Sequence, residues 1–402
     1  MNTEVVNSQL EISNPRPRAL KKDAILTLSG AHMMNDLVTV GIVPALLPLY
    51  KSAFHLSYTQ AGLIVLFSYL MSSVMQPLIG LMTDRKPYVW FLPLGVVLST
   101  TGLALTGLAP SFPWLLVLVS LSGLGSGVFH PEASRGAHMA AGKSKGLAQA
   151  IFQVGGNSGQ AFGPLVVSLF ILATGIHGLL WFLLLAITAF LTTVRILPWY
   201  RGRIVEEHGK KRQLEGKNRI GAVSLLVLVV VLRSWVQIGV AGFLPFFYQH
   251  HNMSLHSAEL FTFLFAGAGA VGTFIGGTLS DKIGKKWILL GSMLLSIPFA
   301  GFLPYANGVW AIVTLILFGF SVLSSFAVTV VYAQQLLPRN IALAAGLMIG
   351  FGVGAGGIGA TLMGTFADHF GVTRMLEWLV ILPALAVLLS LFLPGDKNLA
   401  KS

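Results

Sequence analysis

Cysteine is absent from all 402 residues, which excludes disulfides, thiolate metal sites and cysteine nucleophiles. Charge is scarce as well. Asp, Glu, Lys and Arg make up 10% of the chain, against about 25% in a soluble domain. Acid is the rarer sign, with 14 Asp and Glu against 26 Lys and Arg. There is no nucleophile elbow, no His-Glu-x-x-His and no phosphate loop ending in lysine, so no enzyme constellation stands out. What fills the chain is apolar sequence: 54% hydrophobic, with a mean hydropathy of +0.78. That is the composition of a polytopic membrane protein.

Twelve apolar runs lie between charges, prolines and glycines, at about 24–50, 57–82, 88–109, 112–138, 145–173, 177–198, 220–249, 256–280, 286–305, 308–335, 341–367 and 373–394. Each reaches the roughly 20 residues that cross a bilayer as a helix. Strands of this length and hydrophobicity would not close a barrel, so the expected fold is all-α with twelve transmembrane helices. Residues 1–23 are polar and precede no cleavable apolar region, so they read as a tail. The long basic stretch 199–219 divides six spans from six, giving bundles at 24–198 and 220–394 and a second tail at 395–402.

The net charge of +12 records orientation rather than a nucleic-acid partner. With both termini and the 199–219 linker on the cytoplasmic side, 23 of the 26 Lys and Arg fall on or near that side. Lys51 and Arg374 fall outside, and Arg233 falls in mid-membrane.

A short signature occurs twice. Gly80-Leu-Met-Thr-Asp84-Arg85-Lys86 returns 197 residues later as Gly277-Thr-Leu-Ser-Asp281-Lys282-Ile-Gly284-Lys285-Lys286, each copy closing an apolar run. A near half-length repeat among membrane helices marks a transporter built from two similar halves. Gly352-Val-Gly354-Ala-Gly-Gly357 matches a dinucleotide fingerprint by letter only, because no strand precedes it.

Twelve spans, a central basic loop and the doubled Gly-x-x-x-Asp-Arg/Lys signature together resemble the major facilitator superfamily, over essentially the whole chain. The first copy departs from the pattern at Pro87 and Tyr88. Gly159-Gln-Ala-Phe-Gly163-Pro164 in span 5 is similar to the core of the motif of proton-coupled drug antiporters, with Ala150 where that motif begins with glycine. In span 4 the arginine usual in drug antiporters is replaced by Leu121. Gly123-Leu-Gly-Ser-Gly127-Val-Phe-His130-Pro131-Glu132-Ala-Ser-Arg135 resembles the fosmidomycin-resistance subfamily instead, as do His32-Met-Met-Asn35-Asp36 with Leu46-Leu47-Pro48, and Arg233-Ser-Trp235. The resemblance implies a multi-pass protein of a bacterial cytoplasmic membrane that exchanges protons for a small anionic drug. It implies switching roles for Asp84, Arg85, Asp281, Lys282, Gly163 and Pro164, with protons, the anion and lipid as partners. The expectation is a monomer without cofactor, metal or nucleic acid.

Among the acids, Asp36 and Glu132 are the two placed well inside a span. A charge at the bilayer centre costs about 2.5–3.5 kcal/mol on insertion scales, so such groups face an interior cavity. His32 and Asp36 are four apart and share a helix face, with Asn35 beside them as a candidate substrate contact, a role in which His130, Arg233, Gln153, Asn157 and Gln237 are also candidates. Either the pair and Glu132 carry protons, or the His–Asp pair ties span 1 to a neighbour. His130, Glu132 and Arg135 either gate the pathway or brace the end of span 4. Arg233 offers a planar fork to a phosphonate or carboxylate, or pairs with Asp36 across the two bundles. Gln149, Gln153 and Asn157 form a polar stripe on span 5, and Gln237 follows Arg233 by one turn. These amides suit either a cavity wall or interhelical bonds.

Overall fold

A computed structural model describes residues 20–85, 88–142, 145–207 and 218–395. It is all-helical, with no strand among the described residues. Eleven helices are long and apolar enough to cross a membrane, and a bent pair supplies the twelfth. In chain order α1 is Lys22–Ala45 with Leu47–Phe54, α2 is Tyr58–Arg85, α3 is Phe91–Leu105 and α4 is Phe112–Ala140. They are followed by α5, Lys145–Val166 running on to Thr174, and α6, Phe182–Glu207. The last six are α7, Ile220–His250; α8, Leu255–Ile283; α9, Lys285–Phe302; α10, Val309–Leu323 with Phe326–Leu336; α11, Leu347–Phe370; and α12, Val372–Leu391.

Three interruptions escape a hydropathy reading. α1 widens into a π-helical turn at Leu37–Ile42, directly after Asp36, then bends by 51° at Leu46. Pro44 and Pro48 flank the bend, where each removes a backbone donor. α10 breaks at Ser324–Ser325, where the Ser324 hydroxyl donates to the Ser321 carbonyl at 2.9 Å. Such back-bonding offers the backbone an alternative to its helical ladder. The helix entering α11, Ile341–Gly346, passes into it through a π-helical turn at Leu347–Phe351.

Two seams join the first six helices to the last six: α2 against α11, and α5 against α8. Small residues set the first. A Cβ on Gly62 would lie 2.5 Å from the Ala360 carbonyl, and one on Gly364 would strike the Tyr58 backbone. Where lipid supplies no hydrophobic drive between helices, such close backbone packing is what holds them. The contact continues to Ser73, whose hydroxyl donates to the Gly350 carbonyl at 2.5 Å. Beyond it the packing thins: a Cβ on Gly80 or on Gly346 would meet nothing within 4 Å. The seam is therefore shut at the end carrying Tyr58 and Phe370 and looser at the opposite end, where α1 begins at Lys22 and α2 ends at Arg85. The second seam closes at the same far end, where Phe162 stacks on Phe263 at 6.2 Å and Ser168 meets His256 at 2.8 Å.

Candidate functional site

Polar groups converge where α1, α4 and α5 cross. His32 Nε2 lies 3.1 Å from Asp36 Oδ2, the i,i+4 contact of one helical turn. From α4, His130 Nε2 reaches Asp36 Oδ1 at 3.3 Å and His32 Nε2 at 3.2 Å. Gly156 of α5 makes the room, since a Cβ there would collide with the His32 ring. His32 also stacks on Phe152, with ring centroids 4.2 Å apart.

Backbone carbonyls assign the tautomers. His32 Nδ1 donates to the Phe152 carbonyl at 2.8 Å, and His130 Nδ1 donates to the Ser126 carbonyl at 2.9 Å. A carbonyl only accepts, so both rings carry a hydrogen on Nδ1. Both Nε2 lone pairs then point at each other and at a carboxylate. That arrangement repels unless a cation sits among the three. The three ligand atoms lie within 4.8 Å of one another, close enough to share one. The separations of 3.1–3.3 Å are hydrogen-bond lengths that suit a proton. Asp36 is 13% exposed and His130 14%, so the cluster is not sealed.

Asn35 stands behind the cluster and is fully engaged. Its amide donates to Asp36 Oδ1 and to Ser126 Oγ, both at 3.0 Å, and its carbonyl accepts from Ser99 at 2.9 Å. It is completely buried, so the contact with substrate expected of it gives way to positioning Asp36.

Arg233 lies apart from the cluster, on α7. Its side chain is 1% exposed, with the guanidinium 4.8 Å over the Phe326 ring and Nη1 donating to Thr329 Oγ1 at 3.3 Å. The break in α10 puts Phe326 and Thr329 at the start of its second segment. Nε has no hydrogen-bond partner, and no carboxylate approaches within ion-pair distance among the described residues. The ion pair with Asp36 is therefore not formed in this arrangement. Gln237, one turn on, is buried and has no side-chain hydrogen bond among the described residues. A buried cation with no carboxylate among the described residues, one turn from an amide without a side-chain hydrogen bond, has the donors that an anion would need.

Comparison with known sequences bears on what this geometry serves. The sequence profile of the Major Facilitator Superfamily matches residues 28–348 and, in a second overlapping alignment, 226–401. The chain belongs to that superfamily. It is 40% identical over 385 residues to the uncharacterized MFS-type transporter YfnC of Bacillus subtilis, covering 93% of this chain and 94% of the relative. It is 38% identical over 377 residues to the fosmidomycin resistance protein of Escherichia coli K12, covering 92% of each. Among solved structures it superposes on a bacterial homolog of the human lysosomal transporter Spinster. The TM-score is 0.73 at 19% identity, over 96% of this chain and 98% of that one. The fold is shared, and the family and its relatives are transporters rather than enzymes.

Elsewhere in this superfamily member, the polar residues of α4 form a brace. Glu132 is wholly buried, its Oε1 bonded to Arg135 at 3.0 Å and its Oε2 to the Tyr200 hydroxyl at 2.5 Å. Arg135 also donates to the Thr83 carbonyl at 2.9 Å. With both oxygens engaged and water excluded, Glu132 ties α2, α4 and α6 together; the proton-carrying expectation for it finds no support in this geometry. Gln153 donates to Asn157 at 3.2 Å, so the amide stripe on α5 is partly satisfied by itself. Gly163 packs on the backbone of Gly41 where α1 crosses α5, one residue before Pro164. Lys282 is exposed. The side chains of Asp84, Arg85 and Asp281 lie outside the described residues.

Two acids were missed by the sequence reading. Asp368 of α11 caps α2: the backbone N–H groups of Tyr58 and Thr59 donate to its two oxygens at 2.7 and 2.8 Å, and Thr59 Oγ1 donates at 2.6 Å. Glu259 of α8, counted among acids at span ends, is 0% exposed. The spacing of Glu259 three residues after His256 and four before Phe263 was the available signal.

Proposed function

We propose that this transporter exports a small anion, a phosphonate of the fosmidomycin kind, in exchange for protons entering the cell. The observation that carries the reading is Arg233, a buried guanidinium whose Nε has no partner and which faces no carboxylate. Its planar fork suits a phosphonate or hydroxamate bidentately, and Gln237 adds a neutral amide beside it. The 38% identity to a fosmidomycin resistance protein supports the same substrate class.

His32, Asp36 and His130 are read as the proton site. With the basic linker and both termini in the cytoplasm, the looser end of the helices faces the cytoplasm and the shut end faces out. An anion then enters from the cytoplasm and neutralises Arg233, while the cluster releases its proton to the same side. After rearrangement the anion leaves outward, and a proton from outside returns the cluster to the state described. A metabolite carboxylate or phosphate ester would satisfy the same fork, so substrate chemistry is decided by competition.

The test is purified protein in liposomes with an imposed pH gradient and a labelled phosphonate. Uphill movement of label that runs down the gradient is expected, abolished by a protonophore and competed by phosphonates better than by carboxylates. Transport indifferent to the gradient overturns the coupling. A preference for neutral ligands overturns the anion assignment.

A further inference from the structure

Glu259 lies in the α5–α8 seam that shuts the far end. Three residues before it, His256 reaches Ser168 of α5 at 2.8 Å; four residues after it, Phe263 stacks on Phe162 of α5 at 6.2 Å. Positions three and four apart share a helix face, so Glu259 sits between two contacts that join the first six helices to the last six. It is 0% exposed, and neither carboxyl oxygen has a hydrogen-bond partner among the described residues.

Among the described residues, no group compensates a charge there. α8 packs chiefly on α10, α5 and α7. The Val309–Leu323 segment of α10 carries no titratable residue, and α5 carries none after Lys145 at its opposite end. α7 contributes Tyr248, a buried hydroxyl itself without a partner, while its Arg233 and His250 make no ion pair with Glu259. On α8 itself the titratable groups are the exposed His256 and, at the other end of the helix, Asp281 and Lys282. Lys285 and Lys286 of α9 lie at that other end as well. An ionised carboxylate sealed here would lack both water and counterion, a state that costs far more than taking up a proton.

We propose that Glu259 is a second proton-binding site, separate from the His32–Asp36–His130 cluster, and that its protonation permits the outer seam to close. Opening admits water, and the carboxylic acid gives its proton to that water. Closing requires the carboxylate to take one proton back from the outer solution. External acid thus favours the shut state, and external alkali holds the seam open. For an exporter this ties the inward return of the carrier to proton supply outside. The inference depends on the proposed function only for which end faces out.

The cysteine-free chain makes the test direct. Thr361 lies in the α2–α11 seam, where a Cβ on Gly62 would come within 2.7 Å of its Cα. Thr361→Cys, reacted from outside with a membrane-impermeant thiol reagent, reports opening. At each pH the rate is compared between the Glu259 protein and its Glu259→Gln and Glu259→Leu variants, which cancels the reagent's own pH dependence. One proton linked to closing changes the opening equilibrium by up to ~tenfold per pH unit. The expected result is labelling that rises with external pH when Glu259 is present, and stays low and flat in both variants. An undiminished rise in both folded variants overturns the proposal. So does loss of the rise in His256→Gln with Glu259 intact, which would assign it to the imidazole. The same measurement in Asp36→Asn separates the two readings. A preserved labelling response with lost gradient-driven transport supports both; a preserved response with normal uphill transport removes the cluster as proton carrier and leaves Glu259 standing.

Discussion

At the scale of single residues, what matters is which charged groups have partners. Arg233 has a hydroxyl and a ring, and no carboxylate partner among the described residues. Arg233→Lys keeps the charge without the fork, and Arg233→Gln removes both. A charge-assisted hydrogen bond contributes about 1.5–3 kcal/mol, so the full loss should weaken phosphonate binding roughly ten- to hundredfold, with Lys between. Titrating each purified variant with a phosphonate and its neutral ester checks this; equal losses for both ligands would make Arg233 a packing residue. Asp36 holds both Nε2 atoms of the histidine pair. Asp36→Asn removes the negative charge that a shared proton needs. Uphill transport should fall to the level of empty liposomes, while phosphonate affinity at Arg233 stays within a few-fold. Uphill transport at the wild-type rate would take the proton role away from Asp36. Part of this was legible in sequence, because His32, Asn35 and Asp36 sit within one turn. His130 is 98 residues from His32, and only the crossing of α4 over α1 brings them to 3.2 Å.

At the scale of elements, the seams are built from glycine, hydroxyl groups and one cap. Asp368 satisfies two orphan N–H groups at the start of α2 from a different helix, 310 and 309 residues away in the chain. Losing a capping oxygen costs about 0.5–2 kcal/mol, and here the cost falls on the shut state alone. Asp368→Ala should therefore raise outside labelling of Thr361→Cys about two- to thirtyfold, with the helical signal unchanged. Unaltered labelling would mean that the cap survives opening or that water replaces it without loss. The helix breaks were beyond a hydropathy reading for a related reason. A π-turn or a serine back-bond changes which carbonyl is used, not how apolar the segment is, and so leaves the average untouched.

At the scale of the whole molecule, the two sets of six helices are tightly joined at one end and more loosely packed at the other. The polar groups that would meet protons and anion lie between. The arrangement needs one cation at the histidine pair, and the proposed identity of that cation is testable. Transport measured after exhaustive chelation of divalent ions should match the untreated protein, because a proton is always available. Loss on chelation, restored by one added metal, would show that an ion rather than a proton bridges His32, Asp36 and His130.

Sequence by itself determined the span count, the doubled signature and the superfamily. The reason is physical: in lipid each segment must satisfy its own backbone, so a local apolar length is sufficient to specify a helix. The separation of His32 from Asp36, and of Arg233 from Gln237, is equally local, being a property of one helix. Tertiary structure alone decided which side chains have partners. It paired Glu132 with Tyr200, brought His130 to His32, left Arg233 without a carboxylate, and sealed Glu259 in a seam that hydropathy places near a helix end. Those outcomes depend on how helices distant in the chain cross, which is set by the close approach of small residues such as Gly41, Gly62 and Gly156 rather than by the apolar length of any one span.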